Sequence, residues 1–292
     1  MPAPGGCAAR RRRAASGGWG LSDQRELELE LRIGGERLRL SARVPEAPLS
    51  LADFLPVFRS FADLIVQVAA REATALGRPP RCAPRCGACC RQPVPIAPAE
   101  ALDLRHVVAT LAPDHRERVL ARFAKARERL AAAGLLERLR ADSGRAAGGA
   151  GARRALGLEY FALGIPCAFL EEESCSIYAD RPLACREYLV SSEPANCSRP
   201  EAAAVAVIEV PRRLSMLLFD LSAEDLPDGP AWLPLALALD ETLFDAAAAG
   251  AATRPGPALF ERVIAFLACL YTGSPGDRAA SAAAFTEGGT SQ

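Results

Sequence analysis

Eight of the ten cysteines fall into two groups. The first is Cys82-Ala-Pro-Arg-Cys86-Gly-Ala-Cys89-Cys90, and the second places Cys167, Cys175, Cys185 and Cys197 along one later stretch. Thiolates are soft ligands that select zinc, iron–sulfur centres or Cu(I) over hard cations. The two-residue spacer in Cys86-Gly87-Ala88-Cys89 lets the chain fold back so that both sulfurs reach one metal, with Gly87 available for a φ > 0 turn. Cys82 precedes Cys86 by four residues, and Pro84 between them discourages a continuous helix. Cys89 and Cys90 are adjacent, so their side chains are expected to diverge, toward different metals or different roles. Long loops between the later cysteines carry a closure cost that metal coordination offsets, because forming the site contributes directly to folding.

The rest of the chain narrows the chemistry. His106 and His115 are the only histidines and neither has ligand-like spacing, so the expected site is all sulfur: Cys82, Cys86, Cys89, Cys90, Cys167, Cys175, Cys185 and Cys197. Cys7 falls in a Gly/Pro/Arg-rich tail and Cys269 on an apolar helical stretch where a free cysteine acts as a small hydrophobe. Four thiolates around one Zn²⁺ leave about two negative charges; Arg81, Arg85, Arg91, Arg181, Arg186 and Arg199 stand beside the ligands and can offset them. A dithiol redox pair at Cys86 and Cys89 lacks the βαβ setting of a thioredoxin-like motif. The Cys82-x-x-x-Cys86-x-x-Cys89 spacing also matches a radical S-adenosylmethionine motif, but the serial strand–helix units of that barrel are missing downstream. No Ser/His/Asp arrangement, P-loop or paired-carboxylate signature marks an enzyme.

Acidic and basic residues balance at 35 each, so composition predicts neither nucleic-acid nor membrane binding. The basic run Arg10–Arg13 is followed by nothing apolar enough for a secretory signal, and no stretch has the length of a membrane span. The expected compartment is the cytoplasm, where thiols stay reduced and clustered cysteines read as metal ligands rather than disulfides.

The elements that must position these ligands are legible in part. Residues 1–22 read as a disordered tail. Strict alternation in Glu26-Leu-Glu-Leu-Glu-Leu-Arg-Ile33 and Glu36-Arg-Leu-Arg-Leu-Ser-Ala-Arg-Val44, on either side of Gly34-Gly35, predicts a β-hairpin. Ser50 can cap a helix over 51–76, with Phe54, Leu55, Phe58, Phe61, Leu64, Ile65 and Val68 at helical spacing. A second helix opens at Pro98-Ala-Glu100 and breaks near Pro113, and Asp114 can cap a third through about Leu130. Residues 143–151 read as a flexible loop, 205–210 as a short strand, and 212–221, 234–249 and 257–271 as helices. Asp180 is a candidate cap, and Pro182 a first-turn residue, for a short helix carrying Cys185.

The two cysteine groups together resemble the YkgJ family of zinc- or iron-chelating cysteine-cluster domains. The resemblance rests on Cys82 to Cys90, then Pro166-Cys167-Ala-Phe169-Leu170, then Cys175-Ser-Ile177-Tyr178-Ala-Asp-Arg181-Pro182-Leu183-Ala-Cys185-Arg186, and finally Cys197. It implies a metal or iron–sulfur centre and no general activity. The related flagellin lysine N-methylases look to use a similar cysteine set, but this chain lacks a Gly-rich loop following a strand for S-adenosylmethionine. Tyr178 and Arg186 are expected to support the thiolates rather than catalyse.

The resulting expectation is a mainly α-helical α+β protein. Its divisions are a tail (1–22), a hairpin plus helix (23–80), a cysteine-cluster domain of irregular loops wrapped by helices (81–200), a C-terminal helical region (201–272) and a flexible tail (273–292). The centre, zinc or iron–sulfur, has a structural, redox or sensing role, with room for a protein partner. A protein-modifying enzyme or a metal-trafficking protein are the competing expectations.

Overall fold

The computed structural model describes residues 24–33, 36–143, 150–200, 205–240, 243 and 252–268. The expected N- and C-terminal tails, the Gly34-Gly35 turn, Cys7 and Cys269 lie outside these residues, as does most of the expected loop at 143–151. Within that loop's ends, Ser143 closes one helix and Ala150 and Gly151 begin the next.

The alternating segments pair as β1 (Gln24–Ile33) and β2 (Glu36–Pro45), antiparallel with Leu31 opposite Leu38 and Leu29 opposite Leu40. β3 (Pro48–Leu49) leads into α1 (Leu51–Ala75). Ser50 caps α1 as expected, its Oγ accepting from the Asp53 backbone N–H at 3.2 Å while the Asp53 carboxylate accepts from the Ser50 N–H at 3.1 Å. β4 (Pro95–Ile96) precedes α2 (Pro98–Thr110) and α3 (Pro113–Ala132). Ala112, not Asp114, is the cap of α3, because Pro113 with its fixed φ takes the first helical position and moves Asp114 into the first turn. α4 (Leu136–Asp142) and α5 (Ala150–Ala162) follow, then the two-residue strands β5 (Leu170–Glu171) and β6 (Ser174–Cys175) and the one-turn helix α6 (Leu183–Arg186). α7 (Leu214–Asp225), β7 (Leu233–Pro234), β8 (Arg254–Pro255) and α8 (Gly256–Ala268) complete the described chain.

Two expectations fail here. Residues 205–210 form no strand; Val207 makes an isolated bridge to Val190, supported by Ile208 N–H to Leu189 O at 2.8 Å. The helix expected from 234 is absent over its described beginning. Leu233 and Pro234 pair with Ile96 and Pro95, the Leu235 N–H donates to Val94 O at 2.8 Å, and a single 3₁₀ turn follows. In both places pairing with a distant segment overrides a local pattern too short to hold a helix or sheet by itself.

Three apolar cores organise the layers. α1 contributes Phe54, Phe58 and Ile65 to the first, with Leu214 and Leu218 of α7, Leu259 and Val263 of α8, and Leu183 of α6. The second joins Ile96, Leu104 and Val119 to Phe169 and Ile177 of the cysteine region, with Phe123 and Phe169 edge to face at 5.5 Å. The third packs Leu130, Leu139, Tyr160, Ile165 and Leu237. Each such side chain contributes about 1.5–3 kcal/mol by leaving water, so the cysteine segments are anchored into cores built largely by other parts of the chain. The fold is mainly helical α+β, with few and short antiparallel strands beside the hairpin. Among the described residues, no helix is long and apolar enough to cross a membrane.

Candidate metal centre

The chain leaving α1 enters an irregular arm whose Arg81 N–H donates to Val190 O at 2.8 Å. Ala83 O accepts from the Cys86 N–H at 3.2 Å, making a tight turn in which Arg85, at φ 65°, takes the left-handed conformation. Gly87 was the residue expected to do so, yet its φ is −93°. The space beside Gly87 is instead filled by side-chain ends from the β5–β6 hairpin. A Cβ on Gly87 would lie 2.8 Å from Leu170 Cδ1 and closer still to the Glu173 carboxylate. Ala88–Arg91 then form a 3₁₀ turn carrying Cys89 and Cys90. Those two thiols stay close enough for Cys90 to raise Cys89, so they diverge less than expected.

The later cysteines are brought to this turn by three devices. The Cys167 N–H donates to Cys90 O at 2.7 Å, stitching the Pro166-Cys167 segment directly to the first group. Cys175 sits opposite Leu170 in the β5–β6 hairpin, whose tip uses Glu172 and Glu173 at positive φ. Arg91 clamps that tip, donating to Glu173 Oε1 at 2.7 Å and to Gly87 O at 2.8 Å. Cys197 lies buried on a 3₁₀ turn, Pro194–Ser198, that packs against the Ala88–Arg91 turn.

Cys185 is held from three sides. Pro182 is the cap residue of α6, and the Asp180 side chain makes no capping bond. The cap is supplied from α2: buried Glu100 accepts from the Leu183 N–H at 2.7 Å through Oε1 and from the Ala97 N–H at 2.9 Å through Oε2. On the other side of Cys185, buried Glu187 accepts from the Ser215 N–H at 3.1 Å and its hydroxyl at 2.5 Å, closing the start of α7. Arg186 places two bonds on the Asp63 carboxylate of α1, at 2.8 and 2.9 Å, and donates to Arg181 O and Ala179 O. Burial raises the Glu100 carboxyl and pushes Glu187 up to about 7. Sequence reasoning missed Glu100 and Asp63. Glu100 stands at the third helical position, where a carboxylate reaches back to the preceding N–H, but nothing local signals its second bond, 83 residues away.

Among the described residues, no three Cys, His, Asp or Glu side chains stand in the close array of metal ligands. The eight thiols are unpaired by disulfides and are electrostatic neighbours. Cys82 is raised by burial and then by Cys89 and Cys86; Cys197 by burial and then by Cys89, Cys82 and Cys86. Burial pushes Cys167 up to about 12, with Cys175 and Cys89 adding to it, and holds Cys185 well above the usual thiol range, with Cys167, Cys89 and Cys175 adding. Cys175 is raised by burial and also feels Cys89. Cys89 itself is raised most by the adjoining Cys90 thiol and then by burial. The neighbours thus sort into Cys82, Cys86 and Cys197 on one side and Cys167, Cys175 and Cys185 on the other, with Cys89 common to both.

Of the flanking arginines, Arg181 lowers Cys82, Cys89 and Cys175, and its guanidinium stacks 3.9 Å from the ring centre of exposed Tyr178. Arg81, Arg85, Arg91 and Arg186 pair with Glu193, Glu172, Glu173 and Asp63, and Arg186 also lowers Cys175. His106 is exposed, and His115 meets Ser176 Oγ at 3.2 Å. The donor chemistry fits a soft cation. Burial and neighbouring thiols disfavour the thiolates of Cys82, Cys89, Cys167, Cys175, Cys185 and Cys197, and a divalent cation would relieve both effects at once.

No curated protein and no solved structure matches the chain. One family model does, over residues 81–204, under the description "CxxCxxCC: Putative zinc- or iron-chelating domain". Its span takes in both cysteine groups and the segments that hold them, and over residues 81–204 the chain is similar to this family of YkgJ-type cysteine-cluster domains.

Proposed function

We propose that the chain is a metal-binding protein whose eight cysteines form two closed tetrathiolate sites for zinc or iron, with a structural role. Cys82, Cys86 and Cys197 supply three ligands of one site and Cys167, Cys175 and Cys185 three of the other. Cys89 and Cys90 contribute one thiolate to each. The observation that carries this reading is the Ala88–Arg91 turn, which bears Cys89 and Cys90, is bonded through Cys90 O to the Cys167 segment and packs against the Cys197 turn. A bound metal would supply cross-linking and charge neutralisation, tying the arm after α1, the β5–β6 hairpin, α6 and the Cys197 turn into one unit. With four thiolates on each ion no coordination position stays open, which suits a structural centre. Arg181 offsets part of the residual negative charge, and Tyr178 holds it in place. All eight thiols are accounted for in this way, whereas one [4Fe–4S] cluster takes four and leaves four without a role. Metal analysis of anaerobically purified protein tests the proposal, together with the same analysis of Cys89→Ala. Loss of metal in that variant supports the reading; unchanged metal content and unchanged folding contradict it.

A further inference from the structure

The two trios are anchored very differently. The arm that carries Cys82 and Cys86 has neither helix nor strand between the end of α1 and the 3₁₀ turn at Ala88. Cys82 is exposed. The arm's charged contacts are Arg81 with Glu193 at 3.7 Å, 56% and 70% exposed, and Arg85 with Glu172 at 3.5 Å, 70% and 85% exposed. Exposed ion pairs of this kind add little stability, with a median of about 0–1 kcal/mol. A cleft of about 610 Å³ runs beside the arm, lined by Arg85, Cys86, Phe161, Glu173, Pro194 and Ser198, so solutes in water reach Cys86 directly.

The other trio is fastened from the interior. Cys167 donates its N–H to Cys90 O. Cys185 sits between buried Glu100, which caps its helix, and Arg186, 6% exposed, bonded to Asp63. Leu183 in the same turn belongs to the α1 core. Segments with few buried contacts open locally at low free energy, while segments tied to a core open only at a cost near that of global unfolding.

We infer that the centre is divided into an exchangeable half and a permanent half: the Cys82–Cys86 arm opens independently and gives up or takes metal, while the Cys167, Cys175 and Cys185 half stays loaded. The agents that act on the outer half are soft-metal chelators and small thiols entering by the cleft at Cys86. This rests on the two-site reading above and adds a regulation that the reading does not require.

The test uses the full chain loaded with zinc, a chromophoric zinc chelator in excess, and alkylation by iodoacetamide mapped by mass spectrometry at each stage. Metal is expected to leave in two equal phases. The first is at least about tenfold faster, since one additional hydrogen bond to a charged group on the inner arm suffices for that ratio. During the first phase Cys82, Cys86 and Cys197 become alkylated while Cys167, Cys175 and Cys185 remain protected. Arg186→Lys, which loosens only the inner anchor, is expected to speed the slow phase and leave the fast one unchanged. Release of both ions in a single phase, or earlier alkylation of Cys167, Cys175 and Cys185, overturns the inference while leaving the two-site reading standing. A chain that loads fewer than two ions overturns the two-site reading itself.

Discussion

Replacing Glu100 by glutamine tests the anchoring of Cys185 most sharply. The carboxylate is 1% exposed and accepts two backbone N–H bonds, from Ala97 and Leu183, at 2.9 and 2.7 Å. A glutamine amide has a single acceptor oxygen, so its NH₂ must face one of these donors. One buried N–H is then left without an acceptor, at a cost of about 1–3 kcal/mol. At about 2–4 °C per kcal/mol for a protein of this scale, Glu100→Gln should lower the midpoint of thermal unfolding by about 2–12 °C. Glu100→Ala strands both donors and should cost roughly twice as much. Burial raises the Glu100 pKa above its ordinary 4.5 in the folded state. The folded chain therefore holds this proton to higher pH than the unfolded chain, and the residue's contribution to stability falls as pH rises from 4.5 through the folded value. The glutamine variant should lose that part of the pH dependence. Circular dichroism melts of metal-loaded protein across this pH range, with exposed Glu172→Gln as control, provide the measurement. A Glu100→Gln protein with wild-type midpoint, wild-type pH slope and full metal content would refute the argument.

Three further outcomes follow from the same geometry. Gly87→Ala brings a Cβ against the far ends of the Leu170 and Glu173 side chains, which can turn aside, so it should cost less than about 1 kcal/mol, as denaturant titration would read. Arg186→Lys should lose about 1.5–3 kcal/mol, because an ammonium cannot reproduce the two-pronged contact with Asp63 and the bonds to Ala179 and Arg181; chemical denaturation checks it. Ser50→Ala should cost about 1 kcal/mol through the lost α1 cap while metal content stays unchanged, separating helix stability from the centre.

How much the sequence revealed depended on whether a feature was local. The hairpin announced itself by alternation around Gly34-Gly35, and α1 by its periodic Phe54, Phe58, Phe61 and Ile65 behind a capping serine. The cysteine spacings pointed to soft-metal chemistry and to the family whose model covers residues 81–204. What stayed hidden was set by partners far along the chain. Glu100 reaches Leu183, Arg186 reaches Asp63, and Val94 to Ile96 meet Leu233 to Leu235 in place of the expected helix. Helices α4 and α5 escaped notice because Ala- and Arg-rich sequence carries little apolar contrast, so Leu139, Leu156 and Tyr160 did not stand out as a buried face. The positive φ expected at Gly87 falls on Arg85 instead, because the turn closes one residue earlier, with the Cys86 N–H on Ala83 O.

The most direct test of the central claim is the metal content of the intact chain purified without oxygen, measured with its visible absorption spectrum. Two tetrathiolate sites predict about two ions per chain, colourless when the ion is zinc, with both lost on replacing Cys89 and Cys90 together. A brown protein carrying about four irons and four acid-labile sulfides per chain, insensitive to removal of Cys197, would contradict the account.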